Sequence, residues 1–216
     1  MNTRRDLRAA ACTMVVLLGI GGSSWFREDI TTYVDVRSSS IVRQTTSYTC
    51  GAAASATLLS LFYGLPTSER EILVLVESHM DELGIPMGEG IPALSLIRAL
   101  GLSGMPAKGY RVGMADLRDY FTRGGLPVIA HLSRPEMHFV VVVGLVGEQV
   151  VVADPGWGWS IIHIEDFDEF RAFTGVILVP LPPPDLLRHA GRVQQDTLRE
   201  AGLRLELLER LRLCLP

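Results

Sequence analysis

Through the first half of the chain, apolar residues recur at helical spacing. Gly51 to Tyr63 is an Ala/Leu-rich stretch that predicts a helix ending at Gly64-Leu65-Pro66. Ser68, followed by Glu69 and Glu71, caps a second helix that runs through His79, and Ile91 to Leu100 predicts a third. A short fourth helix, Asp116 to Thr122, is stopped by Gly124-Gly125. Beyond that point the pattern becomes that of strands. Pro127–Leu132, Phe139–Leu145, Gln149–Ala153, Ser160–Ile164 and Val176–Val179 are short β-branched runs separated by Gly and Pro. Helices first and strands later predict an α+β domain, a helical lobe packed on an antiparallel sheet, rather than alternating βαβ units.

The two ends of the chain follow other patterns. Arg4, Arg5 and Arg8 precede a 14-residue apolar run from Ala9 to Gly22, and Ser23 and Ser24 follow it. That run fits the roughly 7–15 residues of an export leader and falls short of the roughly 20 that span a bilayer. Residues 1–24 therefore predict export, to the periplasm in a bacterium, with an uncleaved N-terminal anchor as the alternative. Residues 25–40 read as a linker, and 41–181 as the globular domain. Pro182-Pro183-Pro184 breaks the chain, and 182–216 continues as an Arg/Glu/Leu-rich tail in which Leu203, Leu207, Leu208 and Leu211 share one helical face. Such a face packs on the domain, self-associates, or meets a partner or membrane surface.

Composition narrows the chemistry. A chain of 216 residues with 48% hydrophobic residues and a net charge of -4 is not disordered, and it offers no general attraction for nucleic-acid phosphates. Cys12, Cys50 and Cys214 form no CxxC pair and no staple framework. The lone lysine, Lys108, is followed by Gly109 and Tyr110, so no phosphate-binding loop exists and no ATP-driven function is expected. His131 and His163 lie in apolar β runs and read as core or edge histidines, while His79 and His189 read as exposed helix residues. No histidine pair has ligand spacing, so neither a metal nor another cofactor is expected.

One segment stands out: Gln44-Thr45-Thr46-Ser47-Tyr48-Thr49-Cys50-Gly51. A cysteine where coil turns into helix meets the positive end of the helix dipole and unpaired N–H groups, which favour a thiolate. A buried free cysteine acting as a small hydrophobe is the other reading. Downstream, His138 opens one valine-rich run and Asp154 closes the next, with a turn centred on Val146-Gly147 between them. An antiparallel hairpin would bring His138 and Asp154 out near the same end as candidate cross-strand neighbours on one face. An aspartate that orients an imidazole leaves its other nitrogen free to deprotonate a cysteine.

Gln44-x5-Cys50-Gly51, Leu126-Pro127-Val128-Ile129-Ala130-His131-Leu132, His138-Phe139-Val140-Val141-Val142 and Ala153-Asp154-Pro155 together resemble the C39 peptidase domain. The resemblance covers about residues 41–180. It implies a papain-like fold, with Cys50 as nucleophile, His138 as general base, Asp154 as orienting residue and Gln44 as oxyanion-hole donor. It also implies cleavage of protein or peptide substrates after small residues of the Gly-Gly type. Thr49 stands where the family commonly has an acidic residue, which bears on substrate preference. Gly51, Trp157 and Trp159 are candidate substrate-binding residues, the tryptophans as walls of a groove for small residues. The family's usual transporter is not part of the expected domain plan, so the resemblance suggests an exported peptidase beside a bacterial secretion system, including those for functional amyloid. Secretion-system components could then meet the C-terminal helix. A non-catalytic polypeptide-binding or chaperone module and a Cys-His amidase or acyltransferase are the rival readings.

Overall fold

The computed structural model describes residues 38–213 except 87 and 89. The expected leader, most of the expected linker and Cys214 lie outside these residues. Helix α1, Cys50–Thr57, continues into a wider π-helical turn over Leu58–Phe62. Ala52, Ala53, Ala54 and Ala56 are fully buried, and these small side chains let the helix lie in the middle of the molecule. Helix α2, Glu69–Leu83, begins with a capping box in which the Glu71 N–H donates to Ser68 Oγ at 3.3 Å and the Ser68 N–H donates to Glu71 Oε2 at 2.7 Å. It runs four residues past its expected end and stops at Gly84, whose φ of 68° suits glycine. Helix α3 is Ala93–Leu102 and α4 is Met114–Thr122.

The strands are β1 Ala107–Arg111, β2 Val128–Leu132, β3 His138–Val146, β4 Gln149–Asp154, β5 Gly158–His163 and β6 Phe173–Pro180. They form one antiparallel sheet in the order β1-β6-β2-β3-β4-β5. Strand β1 is absent from the sequence reading because Lys108, Gly109, Tyr110 and Arg111 are exposed on a sheet edge and carry no apolar alternation.

Two apolar clusters cover the two faces of the sheet. Helices α1 and α3 pack on the sheet, α2 packs on those two helices, and their apolar residues form one cluster with Ile129, Val141, Val143, Val151, Ala153 and Leu178. The opposite face gathers Val128, Ala130, Val140, Val142, Val150 and Val152 beneath Leu117 of α4 and Phe167. This is the α+β, papain-like arrangement expected from the sequence. Because β3 is buried on both faces, its valines form a continuous run rather than an alternating one.

Helix α5, Pro184–Leu213, is more than an appended tail. Its Ala190 and Ala201 are buried, and Gln194 donates from Nε2 to the carbonyls of Val143 at 2.7 Å and Gly125 at 2.9 Å. The leucines at 203, 207, 208 and 211 are exposed. Among the described residues, no helix is long and apolar enough to cross a membrane.

Candidate active site

The β3–β4 hairpin is built around a two-residue turn, Gly147–Glu148, with Val146 opposite Gln149. The turn lies one residue beyond the expected centre. A bulge between Val142 and Gly144 then shifts the register, so that Val141 faces Ala153. Continuing that register sets Asp154 opposite Val140, with His138 one diagonal step beyond on the same face. The diagonal is still within reach: His138 Nε2 lies 2.7 Å from Asp154 Oδ1.

Asp154 is almost fully buried, at 1% exposure, and is held on all sides. Oδ1 accepts from His138, from the Gly156 N–H at 2.9 Å and from the Trp157 N–H at 3.1 Å. Oδ2 accepts from Arg171 Nη2 at 3.1 Å. Burial alone would raise this carboxyl. The His138 hydrogen bond and charge, with the two backbone N–H groups, outweigh it and hold the carboxyl below the usual aspartate range. Asp154 is thus an ionised acceptor, which makes Nε2 the donor and leaves Nδ1 of His138 for another partner.

That partner is the thiol of Cys50. Burial pulls the imidazolium of His138 down, but hydrogen bonds to Asp154 and to Cys50, reinforced by their charges, carry it up to about 9. Cys50 opens α1 and is 5% exposed, and its Sγ accepts a long contact of 3.4 Å from the Phe139 N–H. The residue after the histidine therefore also fixes the sulfur, a contact the sequence reading did not anticipate.

Gln44 sits in the loop that leads to α1, and its N–H donates to the carbonyl of Pro155 at 3.2 Å, beside the aspartate. Its side-chain Nε2 donates to Thr46 O at 3.0 Å, which fixes the amide orientation because the alternative would set two oxygens together. The second N–H on Nε2 remains available. Oε1 is buried without a partner. A further support was not foreseen: Glu69, read in sequence only as a capping residue, is 6% exposed and accepts the Thr45 N–H on Oε1 at 3.0 Å. It ties the start of α2 to the loop that carries Gln44.

The remaining candidates separate. Trp157 is exposed at the rim and contributes its backbone N–H to Asp154. Trp159 does not wall this site. Its Nε1 donates to Ser39 O at 3.0 Å, and the ring lines a different cavity of about 190 Å³ with Leu61, Val151 and Arg204. Gly51 is tightly packed, since a Cβ there would come within 2.7 Å of Leu96 Cδ1 and 3.2 Å of Phe139 Cδ2.

Two histidines expected on exposed helix faces, His79 and His189, need correction, whereas His131 and His163 lie in strands as expected. His79 is buried, with Nδ1 3.0 Å from Ser95 Oγ, because the face of α2 it occupies is covered by α3. His189 is half-buried against Gly64. His163 lies on the edge strand β5. His131 stacks on its cross-strand neighbour Phe139 with ring centroids 4.7 Å apart, and its Nδ1 is 3.0 Å from Thr174 Oγ1. Burial, and then the charge of His138, push His131 down, so it stays neutral. It lines a cavity of about 220 Å³ that opens beside Cys50, with Tyr48, Ile85, Ile91, Met137 and Phe139. Among the described residues, no three His, Cys, Asp or Glu side chains converge as metal ligands.

Such an arrangement can generate a thiolate–imidazolium pair, attack a carbonyl carbon and stabilise the resulting oxyanion beside an apolar cavity. Comparison with known proteins points the same way. A model described as the Peptidase C39 family matches residues 38–185. The chain is 31% identical to the "Probable functional amyloid protease FapD" of Pseudomonas aeruginosa, over 92% of this chain and 90% of that protein. A protein of the same name from Pseudomonas fluorescens is 28% identical over 81% and 79%. Among solved structures, a double glycine motif protease from an AMS/PCAT transporter, in complex with the leader peptide, is 30% identical with a TM-score of 0.55. That match covers 66% of this chain and 91% of the other. The peptidase domain of Streptococcus ComA, 23% identical with a TM-score of 0.57 over 66% and 98%, shares the fold.

Proposed function

Because the chain belongs to the peptidase C39 family of cysteine peptidases, we propose that it cleaves exported protein or peptide substrates after small residues of the Gly-Gly type, in support of a bacterial secretion or assembly system. The observation that carries the reading is the relay itself. Asp154 holds Nε2 of His138 at 2.7 Å and the other face of the ring serves Cys50. In this mechanism His138 takes the thiol proton and the Cys50 sulfur attacks the scissile carbonyl. The free N–H of Gln44 and the backbone N–H at the start of α1 receive the oxyanion. His138 then protonates the leaving amine, and the acyl-enzyme is hydrolysed by water with the same imidazole as base.

The name of the Pseudomonas aeruginosa relative supports functional amyloid as the setting, and the transporter protease solved with a leader peptide supports double-glycine sequences as the cleavage signal. The apolar leader at residues 1–24 supports export to the periplasm, and the exposed leucines of α5 are the face offered to secretion components. Incubating the purified protein with peptides carrying an internal Gly-Gly, and reading products by mass spectrometry, tests the reaction. Cleavage after the second glycine, abolished in Cys50→Ala with the fold retained, is expected. Persistent cleavage by that variant would overturn the mechanism, and cleavage only at unrelated bonds would overturn the specificity.

A further inference from the structure

The catalytic aspartate has a second ion partner that neither the sequence motifs nor the relay chemistry requires. Asp166–Phe170 forms a π-helical turn after β5, and Arg171 follows it directly. The Arg171 N–H donates to Asp166 O at 2.8 Å and its carbonyl accepts from the Arg134 N–H at 3.2 Å, so the backbone here is fixed at both ends. From this perch the side chain, 17% exposed, reaches the nearly fully buried carboxylate of Asp154.

The division of labour on that carboxylate is uneven. Oδ1 receives His138, Gly156 and Trp157, whereas among the described residues Arg171 is the sole partner of Oδ2. Without Arg171 the buried Oδ2 would be unpaired, and the carboxylate could lower that cost by turning away from the imidazole. Arg171 is itself imperfectly served, because its Nε is buried with no partner. A side chain kept only for stability would better be apolar at such a place, since a buried ion pair with an unmet donor is a weak stabiliser. Resting on the peptidase chemistry above, we propose that Arg171 is a positioning residue for the reaction, which locks the Asp154 carboxylate so that Oδ1 faces His138.

His138 is faced by Asp154 from β4, Cys50 from α1 and His131 from β2, and Arg171 acts on it through the first of these. Loss of Arg171 lets the carboxylate turn and loosens the imidazolium, which weakens the Cys50–His138 pair.

The test uses the full chain with Arg171→Met, Arg171→Lys, Asp154→Asn and the double variant Asp154→Asn with Arg171→Met. Two readouts are taken: hydrolysis of a Gly-Gly aminocoumarin peptide, and the iodoacetamide alkylation rate at pH 6, followed at Cys50 by mass spectrometry. Arg171→Met is expected to lower kcat at least tenfold with KM within twofold, and to slow alkylation at least threefold. Lysine is expected to recover part of both. In the Asp154→Asn background the same substitution should change either readout by less than twofold. Wild-type levels in Arg171→Met, or an equal loss in both backgrounds, would overturn the proposal, the second result marking a structural role only. If the wild type fails to hydrolyse the peptide, the substrate reading fails while the alkylation arm still decides for or against Arg171.

Discussion

At His138, burial and pairing pull in opposite directions and pairing wins, so the imidazolium persists to about pH 9. Activity should therefore hold through neutral pH and fall as the pH rises through about 9, measurable as kcat/KM against pH. Stability follows the same titration. The ordinary histidine value is about 6.5, so the contribution of the pair is complete below it and is lost as pH climbs to about 9. Asp154 has the opposite sign: its contribution is present above the ordinary carboxylate range and disappears as acid drives it through its lowered folded value. The melting temperature should fall between pH 7 and 9, and His138→Gln should flatten that slope. Gln44 is exposed to a different test. Gln44→Ala removes the proposed oxyanion donor and should lower kcat about 10²–10³-fold with the melting temperature little changed.

Among the elements, the hairpin shows what a sequence can and cannot reveal. The valine runs, the intervening turn and the polar residues at the open end were legible because burial on both faces leaves a continuous apolar signature. Cys50, His138, Asp154 and Gln44 were legible as an ordered set. The bulge at Val143 was not, since an extra residue in a run of valines changes no pattern. Arg171 and Glu69 were invisible for another reason: each acts across the fold on a partner 17 or 24 positions away, Arg171 belonging to no motif and Glu69 reading only as a cap. Strand β1 was hidden by its polar edge. Close approach also leaves only a faint mark in sequence. Gly51→Ala would press a methyl group against Leu96 and should cost about 1–3 kcal/mol in urea unfolding.

For the molecule as a whole, the sequence reading separated the domain from the helix after the triple proline, but the first half of α5 is bound into the sheet. Gln194 takes the carbonyl of Val143, the residue that the bulge adds to β3, and also that of Gly125. Gln194→Ala would strand two acceptors and should destabilise the protein by about 1–3 kcal/mol in thermal or urea unfolding. The same anchor gives the rest of the helix a mechanical meaning. From Gln194 to Leu211 the helix is one uninterrupted rod about 26 Å long at 1.5 Å per residue. Its root is clamped to the strand that carries His138, and its leucine-bearing end stands clear like a boom. Whatever grips that end holds the cutting edge at a fixed reach, as a gantry holds a blade over the material passing beneath it.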